Sequence, residues 1–379
     1  MTSTTARPDD RGMPTWARSV LVFLLIYGFL VGVSLLESGV KVMGEDTQKS
    51  LFEGVSNPLA GLFVGILGTV LVQSSSASTS VIVGLVGAGT LGVDAAVPMI
   101  MGANIGTTVT NTLVSLGSMR QSEEFKRAFA AATVHDFFNV IAVAILLPVE
   151  LVTGWLSSAA EAISEQLVGA AGSDWKSPIK RWVKEPVGWI QDVYADVGFE
   201  ENILGTVMVI TGLVVVLLAL TFITKNMRQL VADRVERSLN AVLGRGGGTV
   251  AMLLGLIITV SVQSSSITTS IMIPLAAAGV VSLHNIFPVT LGANVGTTIT
   301  ALLAALAASR PEALTVGLVH TIFNVTGILL LYPIERVREI PIRLAQGLAE
   351  LAVTRQALAV TYVVTVFFIV PLVGVATFR

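Results

Sequence analysis

The sequence predicts an all-α integral membrane protein. It should be made of two inverted structural repeats, each a broken, re-entrant helical hairpin followed by transmembrane helices. Three observations lead there. First, the 379 residues are 53% hydrophobic and only 13% charged, with mean hydropathy +0.80, whereas a soluble domain carries roughly 25% charged residues. Second, a polar patch stands twice inside apolar surroundings, as "VQSSSAST" at 72–79 and "VQSSSITT" at 262–269. Third, residues 65–116 laid over 255–306 without gaps give 23 identities in 52 positions, which marks an internal duplication.

Residues 1–16 form a polar tail, expected to be cytoplasmic and polar for too long to be an ordinary signal peptide. The first repeat covers 17–151: a retained first span near 17–39, a hairpin at 57–90, and spans near 94–118 and 127–150. Residues 152–202 form an external or interfacial segment. The region 151–202 holds 12 charged residues and Trp155, Trp175, Trp182 and Trp189, and tryptophan favours the membrane interface. Amphipathic surface helices are expected there. The second repeat covers 203–335, with a span near 203–224, a hairpin at 248–281, and spans near 285–308 and 312–333. Residues 336–379 supply an amphipathic segment and a final span near 356–377.

The spans reach the ~20 apolar residues that cross a bilayer. The hairpin regions, about 34 residues each, are too short for two such crossings, so each is read as entering the membrane, breaking and returning on its own side. With a cytoplasmic N-terminus, nearly every short basic loop then falls inside, including a 225–248 loop with Lys225, Arg228, Arg234, Arg237 and Arg245. Seven crossings leave the C-terminus outside. Three crossings separate the hairpins, so the second enters from the opposite face. Inverted repeats with broken elements near the midplane mark secondary transporters, and two tips from opposite faces would enclose one polar substrate.

Irregular backbone in a membrane is tolerated where it lines a cavity or is buried in protein. Freed amides attract anions and freed carbonyls suit Na⁺. Gln73, Ser74, Ser75 and Ser76, with Gln263, Ser264, Ser265 and Ser266, add neutral oxygens and hydroxyl donors. A second cluster follows each hairpin: Asn104, Gly106, Thr107, Thr108 and Thr110, matched by Asn294, Gly296, Thr297, Thr298 and Thr300. Thr107 and Thr110 share a helix face, as do Thr297 and Thr300, and can point at a hairpin tip. Small and hydroxyl residues also mediate ordinary helix packing, but the two copies at common spacing favour a site.

His135 and His320 recur in the repeats, and packing between helices is favoured over a proton relay. Asp136 is a candidate cation ligand as an intramembrane acid, but it lies near the expected edge of a span. Asp94 is either an N-cap or a cation ligand. Glu150 and Glu335 read as interfacial helix ends. "GRGGG" at 244–248 lacks the Lys–Ser/Thr of a phosphate loop and reads as a flexible approach to the second hairpin. With no cysteine, disulfides and thiolate chemistry are excluded. No serine has a histidine and acid at a recognisable spacing, so no enzyme is expected. A net charge of −2 gives no sign of a nucleic-acid partner.

The twin QSSS patches, each followed by GANxGTT and an H-x-x-F-N stretch, and "RAFAAATVHDFFNVIAVAILLPVE" at 127–150, closely resemble the type II sodium-dependent phosphate cotransporters. The resemblance covers about 20–335. It implies Na⁺-coupled uptake of inorganic phosphate across the plasma (inner) membrane, with Na⁺ as coupling ion and the bilayer as the other partner. It implies sodium ligands at Gln263, Ser264, Thr297 and Thr300, and phosphate held by Ser74, Ser75, Ser76, Ser265 and Ser266 with Gln73 bridging. Some relatives add an aspartate for another Na⁺, and Asp94 is the nearby acid. Asn104, Thr107, Thr110 and Asn294 are possible additions. Two alternatives remain open: a phosphate-binding sensor or scaffold, disfavoured because no soluble domain follows the last span, and a transporter of another oxyanion.

Overall fold

The computed structural model describes residues 13–43, 57–169, 180–243 and 247–379. All regular structure among the described residues is helical. The helices are α1 (Thr15–Val42), α2 (Pro58–Val72), α3 (Ser75–Ala88), α4 (Val93–Gly106), α5 (Val109–Leu116), α6 (Ser122–Thr153), α7 (Trp155–Gly169), α8 (Lys180–Asp196) and α9 (Glu201–Leu243). They continue with α10 (Gly248–Val262), α11 (Ser265–Ser270), α12 (Met272–Ala277), α13 (Leu283–Ala307), α14 (Pro311–Leu331), α15 (Glu335–Thr354) and α16 (Gln356–Val364). The chain then runs through a π-helical turn (Thr365–Ile369) into α17 (Val370–Phe378). Six helical stretches among the described residues are long and apolar enough to cross a bilayer: 15–42, 122–153, 201–230, 283–307, 311–331 and 356–378. The chain is a multi-pass, all-helical membrane protein.

The expected hairpins are α2–α3 and α10 to α12. Their first arms have 15 residues each, about 22 Å of helix, short of a hydrocarbon core of about 30 Å. Asn57 caps the first hairpin, accepting a hydrogen bond from Leu59 N at 2.9 Å, with Pro58 in the first helical position. The chain differs from expectation in two places. The span expected near 94–118 loosens at Thr107–Thr108, between α4 and α5, where both residues keep right-handed helical backbone and Thr108 N bonds to Ile105 O. The loop expected at 225–248 is helix as far as Leu243, because α9 runs on for 43 residues. Residues 1–12, Trp175 and most of the "GRGGG" stretch fall outside the described residues.

Glycines set the helices against each other. Gly65 on α2 and Gly102 on α4 face each other's backbone, and so do their counterparts Gly255 on α10 and Gly292 on α13. A Cβ on any of the four would run into a neighbouring carbonyl. Each hairpin's first arm is thereby held at backbone contact against the span that follows it. α1 packs along α9 in the same manner, and a Cβ at Gly39 would stand 2.7 Å from Val209 N.

Other packing crosses between the repeats. α3 lies on α13 and α14, while α11 and α12 lie on α5 and α6. α7 packs on α14, and α15 packs on α6. Phe23, Ile210, Leu218, Leu253, Ile257 and Leu372 remain exposed on the flanks, as expected of helices solvated by lipid. α8 presents exposed Trp182 and Trp189 on one side and buries Val183 and Val187 on the other.

Candidate functional site

The two QSSS patches form the same turn. α2 ends at Val72, and Gln73 takes a left-handed conformation with φ 56°. Ser74 is then extended and caps α3, its hydroxyl accepting from Ala77 N. Gln263 repeats this with φ 57°, and Ser264 caps α11 through Ile267 N. These glutamines are the only non-glycine residues at positive φ among the described residues. That backbone costs a side-chain-bearing residue about 1–2 kcal/mol.

The side chains offset the strain. Gln73 Nε2 donates back to Val70 O, and Gln263 Nε2 donates to Val260 O at 2.7 Å. The amide oxygens face the next span: Thr110 Oγ1 donates to Gln73 Oε1 at 3.1 Å, and Thr300 Oγ1 to Gln263 Oε1 at 2.9 Å. The glutamine therefore closes its own helix and joins the hairpin to the following span. Of the two threonines expected on each face, Thr110 and Thr300 reach the turn. Thr107 and Thr297 donate to their own helices at Ala103 O and Ala293 O. Ser75, Ser76 and Ser265 are buried and Ser266 half-buried. No hydrogen bond joins the two QSSS turns among the described residues. Each is tied to other elements.

A buried amide network links the repeats. His135 Nε2 lies 2.6 Å from Asn294 Oδ1, Asn294 Nδ2 donates to Asn139 Oδ1 at 2.8 Å, and Asn139 Nδ2 donates to the Asn104 carbonyl at 2.7 Å. His135 thus joins α6 to α13. Asn104 instead turns its amide to Ile100 O.

Asp136 is the acid that the sequence reading underrated. α6 begins at Ser122, so Asp136 sits well inside the helix, not at its edge, and it is buried. Its Oδ2 accepts from Tyr362 at 2.9 Å and from Thr112 at 3.3 Å, while Oδ1 is buried without a partner. Beside it, Asn111 bonds to Thr269 at 2.7 Å and accepts from Ser270 at 2.9 Å, bringing the first repeat onto the second hairpin. Asp94 is set apart from this cluster. It is exposed in the first turn of α4, whose N-cap is Gly92. It stands about 15 Å of helix away from Asn104. Glu150 is a capping residue, its carboxylate accepting from Leu156 N at 2.6 Å and from Ser157 N and Oγ.

The motifs that build these turns match a known family. The model of the Na⁺/Pi-cotransporter family matches residues 29–172 and 215–360, one stretch on each repeat. The chain belongs to the Na⁺/Pi-cotransporter family. Among curated proteins of similar sequence, sodium-dependent phosphate transport protein 2B of Homo sapiens is 33% identical over 94% of this chain. Sodium-dependent phosphate transport protein 2A of Rattus norvegicus is 34% identical over 93%. The chain spans 64% of the length of the human relative and 66% of the rat one. No solved structure matches it. In this family member, the QSSS motifs are the two left-handed turns and the GANxGTT motifs are the spans that the glutamines grip.

Proposed function

We propose that the chain is a secondary active transporter that couples Na⁺ to the inward movement of inorganic phosphate by alternating access. Family membership supports this, as do the names of the relatives. The observation that carries it is the paired glutamine turn: two chain breaks, one per repeat, each surrounded by neutral oxygens and hydroxyls. Such breaks, with half-helix ends and unwound backbone, are how transporters hold small ions at depth.

Gln73, Ser74, Ser75, Ser76, Ser265 and Ser266 supply hydrogen-bond donors to phosphate. Gln263, Ser264, Thr297 and Thr300 supply neutral oxygens to Na⁺, with Asn104, Thr107, Thr110 and Asn294 around them. Asp136, a buried carboxylate with one unpartnered oxygen, takes the further cation role in place of Asp94. The division into repeats at 17–151 and 203–335 belongs to the same proposal, as do the inverted relation between them, the plasma-membrane location and the cytoplasmic N-terminus. The exchange of trailing helices, α7 onto α14 and α15 onto α6, is what a two-fold relation would give.

Radiolabelled phosphate uptake into proteoliposomes of the full chain tests the reading. Uptake should follow an inward Na⁺ gradient and collapse in choline. Equal uptake in both buffers would refute Na⁺ coupling. Binding without uptake would favour a sensor, and faster sulfate than phosphate flux would change the substrate.

A further inference from the structure

A cleft of about 490 Å³ opens beside the second glutamine turn, lined by Thr221, Thr224, Lys225, Arg228 and Gln229 of α9 and by Ile267 of α11. The α9 residues recur at helical spacing and form one face. Ile267 donates its amide to Ser264 Oγ at 3.3 Å, so the cleft adjoins the QSSS turn itself. The matching residue of the first repeat, Ala77, is buried. Lys225 and Arg228 are exposed to the cleft, in a stretch that also holds Phe222 and Ile223. Neither forms an ion pair among the described residues.

The lining is chemically one-sided. Lysine and arginine are donors only, two threonine hydroxyls and a glutamine amide can donate as well, and among the described lining residues there is no carboxylate. Charge-assisted donors of this kind select phosphate-like oxyanions over cations. We propose that this cleft binds a phosphate group, gripped by Lys225 and Arg228 and steadied by Thr221, Thr224 and Gln229. The group can come from free phosphate passing to or from the second turn, which rests on the transport reading above. It can also come from an anionic lipid headgroup, since basic pockets between membrane helices hold such headgroups.

Site-resolved labelling tests the cleft without using uptake. The full chain, in phosphatidylcholine nanodiscs, is treated with an amine-acylating reagent, and modification of Lys225 is followed by peptide mass spectrometry. One arm adds inorganic phosphate against chloride at equal ionic strength. The other replaces part of the phosphatidylcholine with phosphatidylglycerol. At about ten times the dissociation constant only about a tenth of the sites stay free, so labelling should slow roughly tenfold in one arm or both. Arg228→Gln should remove most of that protection. Protection by phosphate alone assigns a free-anion vestibule, and protection by phosphatidylglycerol alone assigns a headgroup site. Unchanged labelling in both arms, or protection undiminished in Arg228→Gln, overturns the site. A wild-type protein that shows protection but takes up no phosphate would refute transport and leave the cleft standing.

Discussion

The two repeats share a frame and break it in different places. In the first, the return arm α3 is regular and the following span loosens at Thr107–Thr108, with Thr108 N bonded to Ile105 O. In the second, the span α13 is regular through the same Gly-Thr-Thr, and the return arm loosens at Ile271, which keeps helical backbone. The two loosened turns are linked: Asn111, just past the first, is bonded to Thr269 and Ser270, just before the second. At the opposite crossing, Asn111 is replaced by Ala301, Thr112 by Leu302, Ser115 by Ala305 and Asp136 by Thr321. Thr79 and Ser80 there return their hydroxyls to Ser76 O. Duplication supplied matched turns and glycine contacts. The buried acid and its polar neighbours lie at one of the two crossings, while the other has Ala301, Leu302, Ala305 and Thr321.

The sharpest way to break this asymmetry is Asn111→Ala, which copies Ala301 into the first repeat. It removes the bonds of Asn111 to Thr269 and to the half-buried Ser270, while Thr269 keeps its bond to Ser265 O at 2.8 Å. Thermal unfolding of the purified chain should show a loss of roughly 1–3 kcal/mol, the cost of the lost hydrogen bonds. A shift as small as that of a surface substitution would mean that the bridge between the loosened turns does not matter.

Asp136→Asn tests the acid with little change of shape. If the carboxylate binds a cation, losing a charged partner worth about 1.5–3 kcal/mol should raise the Na⁺ concentration for half-maximal uptake ten- to a hundredfold. Asp136→Thr, the residue of the other repeat, should behave alike. Unaltered Na⁺ dependence in both would confine Asp136 to packing with Tyr362.

Gln73→Ala and Gln263→Ala probe what the repeats have in common. Each removes a helix-closing bond and the tie to a threonine while keeping the left-handed strain, a loss of about 1–3 kcal/mol. Gln→Gly at the same sites should lose about 1 kcal/mol less, because glycine adopts positive φ freely. Equal stability losses in the two repeats would support an equivalent frame. A larger effect of Gln263→Ala on Na⁺ dependence would place the cation in the second repeat.

The smallest effect belongs to Asp94→Asn. The side chain is exposed and remote from the turns, so stability should move by no more than about 0.5 kcal/mol and the ratio of charge to phosphate transported should stay put. A changed ratio would return Asp94 to the ion pathway.

Much of this was legible in the chain. Apolar length and composition identify membrane helices because a bilayer leaves few alternatives. The hairpins at 57–90 and 248–281 were readable because a glutamine and three serines cannot be solvated by lipid, so the chain must turn where they stand. Helical spacing put Thr107 and Thr110, and Thr297 and Thr300, on the faces toward the turns, and only Thr110 and Thr300 reach them. Tertiary structure decided the rest. The left-handed glutamines have no local signature, since glutamine ordinarily avoids that conformation. They hold it because a threonine from another helix grips the side chain. Asp136 looked peripheral because its span was expected to begin only near residue 127, but α6 begins at Ser122 and carries the acid inward. The same Gly-Thr-Thr loosens at 106–108 and is regular helix at 296–298. Local sequence cannot tell these apart. The partners across the repeat boundary differ, and those contacts exist only once the two halves have packed.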